Sequence, residues 1–167
     1  LEGKQLALRK KATIIFSIVA VVGMGSVLLA GSVIEAKEPA PVVMLNTADK
    51  DVNKFEAKLS GKTENSDGTV TYHVESQGYA STENPTIYNK FDITVKDDKI
   101  VTVVPTEIND TPYQGDKIDN PAFLDQFIGQ DLKKDVEVEK NDAVTEATFS
   151  SKSTVRAVEE VRKALGY

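Results

Sequence analysis

The residues with the clearest chemical potential lie just before the C-terminal end of the chain. Hydroxyl side chains cluster between Asp142 and Thr154, and they include Thr145, Thr148, Ser150 and Ser151. Apolar residues then recur at helical spacing, which predicts a helix over residues 153–165. The first turn of a helix has N–H groups without intrahelical partners and favours negative charge. The pattern is therefore typical of an anion site, and an ordinary strand-to-helix connection with a serine cap is the alternative.

The composition excludes several other kinds of chemistry. The 167 residues include no cysteine, so a disulfide framework, a thiol nucleophile and a cysteine-ligated metal are excluded. The single histidine, His73, cannot form a metal-binding cluster, and its place on the polar face of a strand pattern predicts a solvated or cross-strand role. A formal net charge of −6 argues against nucleic acid as a partner. No residue is predicted to be catalytic, and a small hydrolase is disfavoured.

The N-terminal part of the chain is predicted to anchor it in a membrane. Four basic residues lie within residues 1–11, and an uncharged run follows at 12–34. As a helix this run is about 34 Å long, enough to cross a hydrocarbon core of about 30 Å. A cleaved signal peptide is the alternative. The basic flank predicts a cytoplasmic N-terminus and an extracytoplasmic C-terminal domain, on a single-pass protein of the cytoplasmic (inner) membrane.

The remaining residues predict a proline-containing linker at 35–46 and an α+β domain at 47–167 on a mostly antiparallel sheet. The pattern has two further helical segments besides the last helix, a weak one over 47–59 and a short one over 121–128. Alternating apolar residues predict strands at 70–74, 91–95 and 100–104, and Val136 with Val138 suggests a short fourth strand.

Turn and packing signals complete this prediction. Asp97 and Asp98 predict a tight turn between the second and third strands, and Pro105 is expected to end the third. Val158 and Leu165 should be buried against the sheet.

Several segments resemble the FMN-binding domain family, in the order of that family, from Gly68 to the end of the chain. Asp142-x-x-Thr145-Glu146-Ala147-Thr148 is similar to the family's attachment motif Asp-x-x-Ser/Thr-Gly-Ala-Thr/Ser, with Glu146 in place of glycine. Thr111-Pro-Tyr-Gln-Gly115 stands where the family has a Thr-Pro-Gly-Leu-Gly loop, and residues 97–104 resemble the hairpin before it. The segment 123–129 resembles the family's short helix.

The resemblance implies that Thr148 carries FMN through a phosphoester bond. The resemblance and the hydroxyl cluster together assign further residues to the cofactor site. These are Thr145, Ala147, Ser150, Ser151, Thr111, Pro112, Tyr113, Gly115 and Lys117. Tyr113 could stack on the flavin ring. Lys152 is expected to offset the negative charge of Glu146 beside the phosphate.

A lone anchor before such a domain is similar to the G-subunit family of Rnf-type electron-transport complexes, which is related to the C subunits of sodium-translocating NADH:quinone reductases. This resemblance implies an electron-carrier subunit of a ferredoxin:NAD oxidoreductase that moves Na⁺ or H⁺. The NAD and ferredoxin sites would lie on other membrane subunits, and a flavin transferase would attach the FMN. The alternative is a membrane-anchored extracytoplasmic binding or assembly module without a cofactor.

The predicted topology can be tested with a protease added to right-side-out vesicles. Because the basic residues before position 12 should remain in the cytoplasm, we expect the protease to cut within residues 37–167. A cytoplasmic protein of the same cells is the control for vesicle integrity. Full protection of the C-terminal domain in intact vesicles would show that the orientation is wrong.

Overall fold

One long helix lies across a four-stranded antiparallel sheet, and a short two-stranded sheet completes the domain. The computed structural model describes residues 43–113, 115–140, 144 and 147–167. The strands are β1 (Met44–Asn46), β2 (Ala57–Glu64), β3 (Val70–Ser76), β4 (Asn89–Lys96), β5 (Lys99–Glu107) and β6 (Glu137–Glu139). The helices are α1 (Pro121–Leu124) and α2 (Thr148–Leu165), and 3-10 turns occupy Val52–Lys54, Ala80–Thr82, Asp116–Asp119 and Asp125–Phe127.

The larger sheet has the order β2-β3-β4-β5 and is antiparallel throughout. Alternate side chains such as Val74, Phe91 and Ile93 are buried on the face that packs against α2. The other face is polar, as the alternation predicts. There His73 is paired across the strands with Asp92, and its Nδ1 lies 2.7 Å from Oδ1, so the expected cross-strand role is confirmed.

The β4–β5 hairpin follows the sequence prediction at its turn and departs from it at its end. Asp97 and Asp98 have φ angles of 50° and 61°, the positive values that a two-residue type I′ turn requires. Strand β5 continues past Pro105 to Glu107, so Pro105 does not end it. Because β5 is the edge strand, a residue without an N–H can be accommodated, and a register shift occurs beside it.

The predicted helix over 47–59 is wrong. A single 3-10 turn forms at Val52–Lys54, and the chain then enters strand β2. Val52 is fully buried, whereas Leu59 remains 38% exposed on the edge of the sheet. The apolar residues at helical spacing in this segment therefore do not form one buried face. Strand β1 pairs with β6, so regular structure begins within the segment that the sequence assigns to the linker.

Helix α2 begins at Thr148, five residues before the predicted start. Val155, Val158 and Val161 are fully buried against the sheet, and Leu165 packs at the margin of the same core. Gly166, with φ 91°, ends the helix in the left-handed conformation that glycine adopts without strain.

The short helix predicted over 121–128 is confirmed as α1 and the 3-10 turn that follows it. The Asn120 side chain caps α1 by accepting a bond from the Ala122 N–H at 2.9 Å, and Pro121 is the first helical residue. Phe123 and Phe127 are fully buried with their rings edge to face at 5.4 Å. The short strand expected at Val138 is confirmed as β6.

The mixture of helices with an antiparallel sheet confirms the α+β fold class. The membrane helix predicted at 12–34 lies outside the described residues. Within the described ranges, no helix combines the length and apolar character needed to cross a bilayer.

Replacing a core residue of the central strands should destabilise the domain strongly. Phe91 is fully buried on β4, so Phe91→Ala should lower the free energy of unfolding by about 3–5 kcal/mol. Val104→Ala, on the exposed face of β5, should change it by less than about 0.5 kcal/mol. Denaturant titration followed by circular dichroism measures both, and equal losses would contradict this placement of the core.

Candidate functional site

The first turn of α2 forms one wall of the candidate site. The first intrahelical hydrogen bond runs from the Ser151 N–H to the Ala147 carbonyl at 2.8 Å. The N–H groups of Thr148, Phe149 and Ser150 precede that bond. Ala147 occupies the N-cap position and has no side-chain oxygen to cap them. This turn therefore has the backbone donors and the dipole direction that bind an anion.

Lys140 brings a positive charge to the hydroxyl of Thr148. Its Nζ donates to Thr148 Oγ1 at 2.5 Å, and Thr148 is partly exposed. Lys140 follows the last residue of β6, and its own N–H donates to the Val43 carbonyl at 2.7 Å. A phosphate attached to this hydroxyl would lie beside an ammonium group, an arrangement that favours charge-assisted hydrogen bonds. Sequence reasoning missed Lys140. It proposed Lys152, which is in fact ion-paired with Asp51.

The hydroxyls of Ser150 and Ser151 are buried and already donate within the protein. Ser150 Oγ donates to Asp110 Oδ2 at 2.6 Å. Ser151 Oγ lies 2.9 Å from the Ala147 carbonyl and 3.1 Å from that of Thr148. These two serines therefore organise the start of the helix. A phosphate on Thr148 would lie beside the first-turn N–H groups and the Lys140 ammonium.

The Asp110 carboxylate connects three segments at this end of the sheet. Besides the Ser150 hydroxyl, it accepts bonds from the N–H groups of Tyr79 (3.1 Å), Ala80 (2.8 Å) and Thr111 (3.1 Å). Burial raises the pKa of Asp110, but the bonds from Ser150, Ala80 and Tyr79 outweigh it and leave the pKa below its ordinary value. Asp110 is therefore an ionised anchor, and it was not assigned to the site from the sequence.

The loop from Thr111 to Lys117 meets α2 through Asp110. The Gly115 N–H donates to the Thr111 carbonyl at 2.9 Å, and a Cβ on Gly115 would lie 2.8 Å from that of Asp110. Only glycine permits this close approach. Tyr113 is 70% exposed with φ 74°, and Lys117 Nζ lies 4.7 Å from its ring centroid.

The structure thus brings two of the predicted loop residues, Thr111 and Gly115, to the carboxylate that binds Ser150. The side chains of Pro112 and Tyr113 lie on the exposed part of the loop. Four positions of the sequence motifs lie outside the described residues, namely Gln114, Asp142, Thr145 and Glu146.

An exposed group of aromatic rings adjoins Thr148. Phe149, the next residue, is 41% exposed and packs edge to face against Phe55 at 5.8 Å and Tyr79 at 5.7 Å. We call Phe55, Tyr79 and Phe149 the aromatic cluster. Sequence reasoning missed it because the three residues lie far apart in the chain, Phe55 and Tyr79 between elements and Phe149 in the first turn of α2.

A cleft of about 570 Å³ lies on the other side of Asp110. Most of its charged side chains form ion pairs. Lys58 and Glu75 lie 2.9 Å apart, and Lys90 is 2.5 Å from Glu107. Because these ion pairs are exposed and mutually neutralised, the cleft offers less to an anionic ligand than the first turn of α2.

Comparison with known families gives one match. Residues 86–163 match the family model described as the FMN-binding domain. This segment is similar to the FMN-binding domain family. The matched segment includes Asp110, Lys140 and Thr148, whereas β2, β3 and two rings of the aromatic cluster precede it. No curated protein and no solved structure matches the chain.

The described residues fit the phosphate of FMN. A partly exposed hydroxyl, an ammonium group at 2.5 Å from it and the N–H groups of a helix start meet at one place within the matched segment. A phosphate needs this combination of positive charge and hydrogen-bond donors.

Neutralising Asp110 should destabilise the domain in a pH-dependent way. Because hydrogen bonds to charged groups contribute about 1.5–3 kcal/mol, Asp110→Asn should lower the free energy of unfolding by an amount of that order at neutral pH. The folded pKa of Asp110 is below its ordinary value of 3.8. Its contribution is therefore fully present above about pH 4 and is lost as the pH falls through the lowered folded pKa.

The difference in unfolding free energy between wild type and Asp110→Asn should accordingly shrink in acid. Urea titrations at a series of pH values measure it. Asp119→Asn, at an exposed position of a nearby turn, is the matched control and should show a small difference at every pH. A difference for Asp110→Asn that grows as the pH falls would contradict the assignment.

Proposed function

We propose that Thr148 carries FMN through a phosphoester bond to Oγ1, and that the domain relays electrons in this form. The observation that carries the proposal is the 2.5 Å contact between Lys140 Nζ and Thr148 Oγ1 at the first residue of α2, inside the segment that matches the FMN-binding domain. A hydroxyl at this position is partly exposed and already lies beside the charge that a phosphate ester needs.

The attachment replaces the hydroxyl proton of Thr148 with the phosphoryl group of FMN. A transferase must supply that group from an activated donor such as a flavin dinucleotide. The pyrophosphate bond of the donor breaks, the Oγ1–P bond forms, and a nucleoside monophosphate leaves with the proton. After attachment, Lys140 and the N–H groups of the first turn hold the phosphate.

When bound, FMN supplies one- and two-electron transfer, and the protein supplies its position and electrostatic environment. No general acid or base is needed on this chain. Because Thr148 is partly exposed, the attached flavin would be accessible to redox partners on other proteins. This suits a carrier between separate donor and acceptor sites.

The wider proposal is a subunit of an Rnf-type, ion-translocating ferredoxin:NAD oxidoreductase in the cytoplasmic membrane. Its support is the apolar run at 12–34 with its basic flank, followed by an FMN-binding domain. Other membrane subunits would then be the partners, and the flavin transferase would act on the extracytoplasmic side. The alternative, an assembly module without a cofactor, would have the same anchor but no flavin. A test of flavin attachment therefore separates the electron carrier from the assembly module.

Intact-protein mass spectrometry of the full chain, co-expressed with its transferase, tests the attachment. We expect an added mass equal to FMN less one water, and we expect Thr148→Ala to remove it completely. Thr106→Ala, at an exposed threonine of β5, is the matched control and should keep the adduct. Lys140→Met should slow attachment about tenfold without preventing it, as the loss of one charge-assisted bond requires.

An unmodified wild-type protein would favour the cofactor-free module. An adduct that survives Thr148→Ala would place the flavin on another residue.

A further inference from the structure

The aromatic cluster is unusual because it is both exposed and fixed in position. Phe149 and Tyr79 are 41% and 39% exposed, although each ring also packs against a neighbouring ring of the cluster. Contiguous exposed apolar groups on a soluble domain commonly mark a binding site. Phe149 is the centre of the cluster and directly follows the residue proposed to carry the flavin.

A buried arginine fixes one side of the cluster. Arg156 is almost fully buried in α2, and its Nε and Nη1 donate to the carbonyls of Val52 and Gln77, each at 2.6 Å. Its guanidinium also lies 5.4 Å from the ring of Phe55. Burial lowers the pKa of Arg156 to about 10, which leaves it charged at neutral pH. One cation thereby ties the segments that carry Phe55 and Tyr79 to the helix that carries Phe149.

The Asp110 carboxylate fixes the other side. It binds the backbone N–H of Tyr79 at 3.1 Å and the hydroxyl of Ser150 at 2.6 Å. Ser150 is the neighbour of Phe149, so one carboxylate sets the spacing between two rings of the cluster. A Cβ at Gly78 would collide with the same carboxylate, which accounts for glycine next to Tyr79.

We infer that the aromatic cluster is the binding surface for the isoalloxazine ring of the flavin. The inference rests on the proposed attachment to Thr148. A flavin esterified there starts at the first residue of α2, and its flexible ribityl chain allows the ring to fold back onto the side chain of Phe149. A planar aromatic ring gains both apolar burial and favourable ring contacts at such a surface.

Tyr113, the aromatic residue that the sequence favoured for stacking, is a poorer surface. It lies alone on an exposed loop, 70% exposed, and Lys117 lies over its ring at 4.7 Å. The cation already occupies one face of that ring. The aromatic cluster instead offers two edge-to-face pairs that are held by buried charged groups.

Flavin fluorescence reports contact with tyrosine directly. A phenol ring in contact with an excited flavin quenches its emission by a reversible electron transfer, and a phenyl ring does not. Tyr79→Phe removes only the phenol oxygen. The intramolecular bonds at this residue use its backbone, because its N–H donates to Asp110 and its carbonyl accepts from Thr82. We therefore expect Tyr79→Phe to raise the emission per bound flavin severalfold in an otherwise unchanged domain.

A second variant should move the signal in the opposite direction. Phe149→Trp introduces an indole, a stronger electron donor, at the centre of the cluster, so we expect the emission to fall severalfold. Tyr167→Phe is the matched control, because Tyr167 follows the far end of an 18-residue helix, about 27 Å away along its axis. It should leave the emission unchanged.

The full chain is co-expressed with its transferase. Its intact mass is first measured by mass spectrometry, and the flavin emission per bound flavin is then measured by fluorescence. Absence of an adduct on Thr148 refutes both the attachment and this inference. An adduct with emission unaffected by Tyr79→Phe and Phe149→Trp leaves the attachment standing and overturns the inference alone. A rise on Tyr113→Phe without a rise on Tyr79→Phe would place the ring on the Thr111–Lys117 loop and also overturns it.

Discussion

The burial of polar side chains on α2 is the constraint on which the site depends. The first turns of this helix bury Ser150, Ser151, Ser153, Thr154 and Arg156. Each buried hydroxyl or guanidinium costs free energy unless it is hydrogen-bonded. Three of the partners come from the ends of the strands, whereas Ser151 bonds carbonyls at the start of its own helix and Thr154 Oγ1 is buried without a partner among the described residues. Gln77 follows β3, Asn89 begins β4 and binds Ser153 at 3.1 Å, and Asp110 follows β5. Together these bonds fix where the helix starts.

The sequence predicts those parts of the fold in which the residues adjacent in the chain show which side chains are buried. Strands β3 and β4 alternate because one face packs on α2, and the hairpin turn shows in two adjacent aspartates. Strand β2 was missed because it lies at the edge with nearly all its side chains accessible, so no alternation exists to detect. The early start of α2 was missed because serines before an apolar helix look like solvent-exposed capping residues in the sequence. Only their partners elsewhere in the chain show that these serines are buried within the helix.

The same distinction holds for the candidate site. The motif around Thr148 is local, so the residue could be proposed from its neighbours. Lys140 and Asp110 bind the first turn of α2 from 8 and 40 positions away in the chain, and each looks like an ordinary surface charge in the sequence. Phe55 lies within the segment 47–59, for which the sequence predicted a helix that the structure does not contain. The pairing of β2 with β3 and the bonds of Arg156 bring it to the same ring, that of Phe149, as Tyr79.

That pairing gives the edge strand an importance that its exposure does not suggest. Glu56 and Gln77 lie opposite each other where β2 begins and β3 ends, and they exchange two bonds of 3.0 Å, one to the Gln77 side chain. Phe55 is the residue before Glu56, and Tyr79 is two residues after Gln77. A slip of β2 by one position would move Phe55 along the strand by about 3.3 Å, more than half the present spacing of the rings. Strand register therefore acts together with Arg156 and Asp110 in setting the geometry of the aromatic cluster.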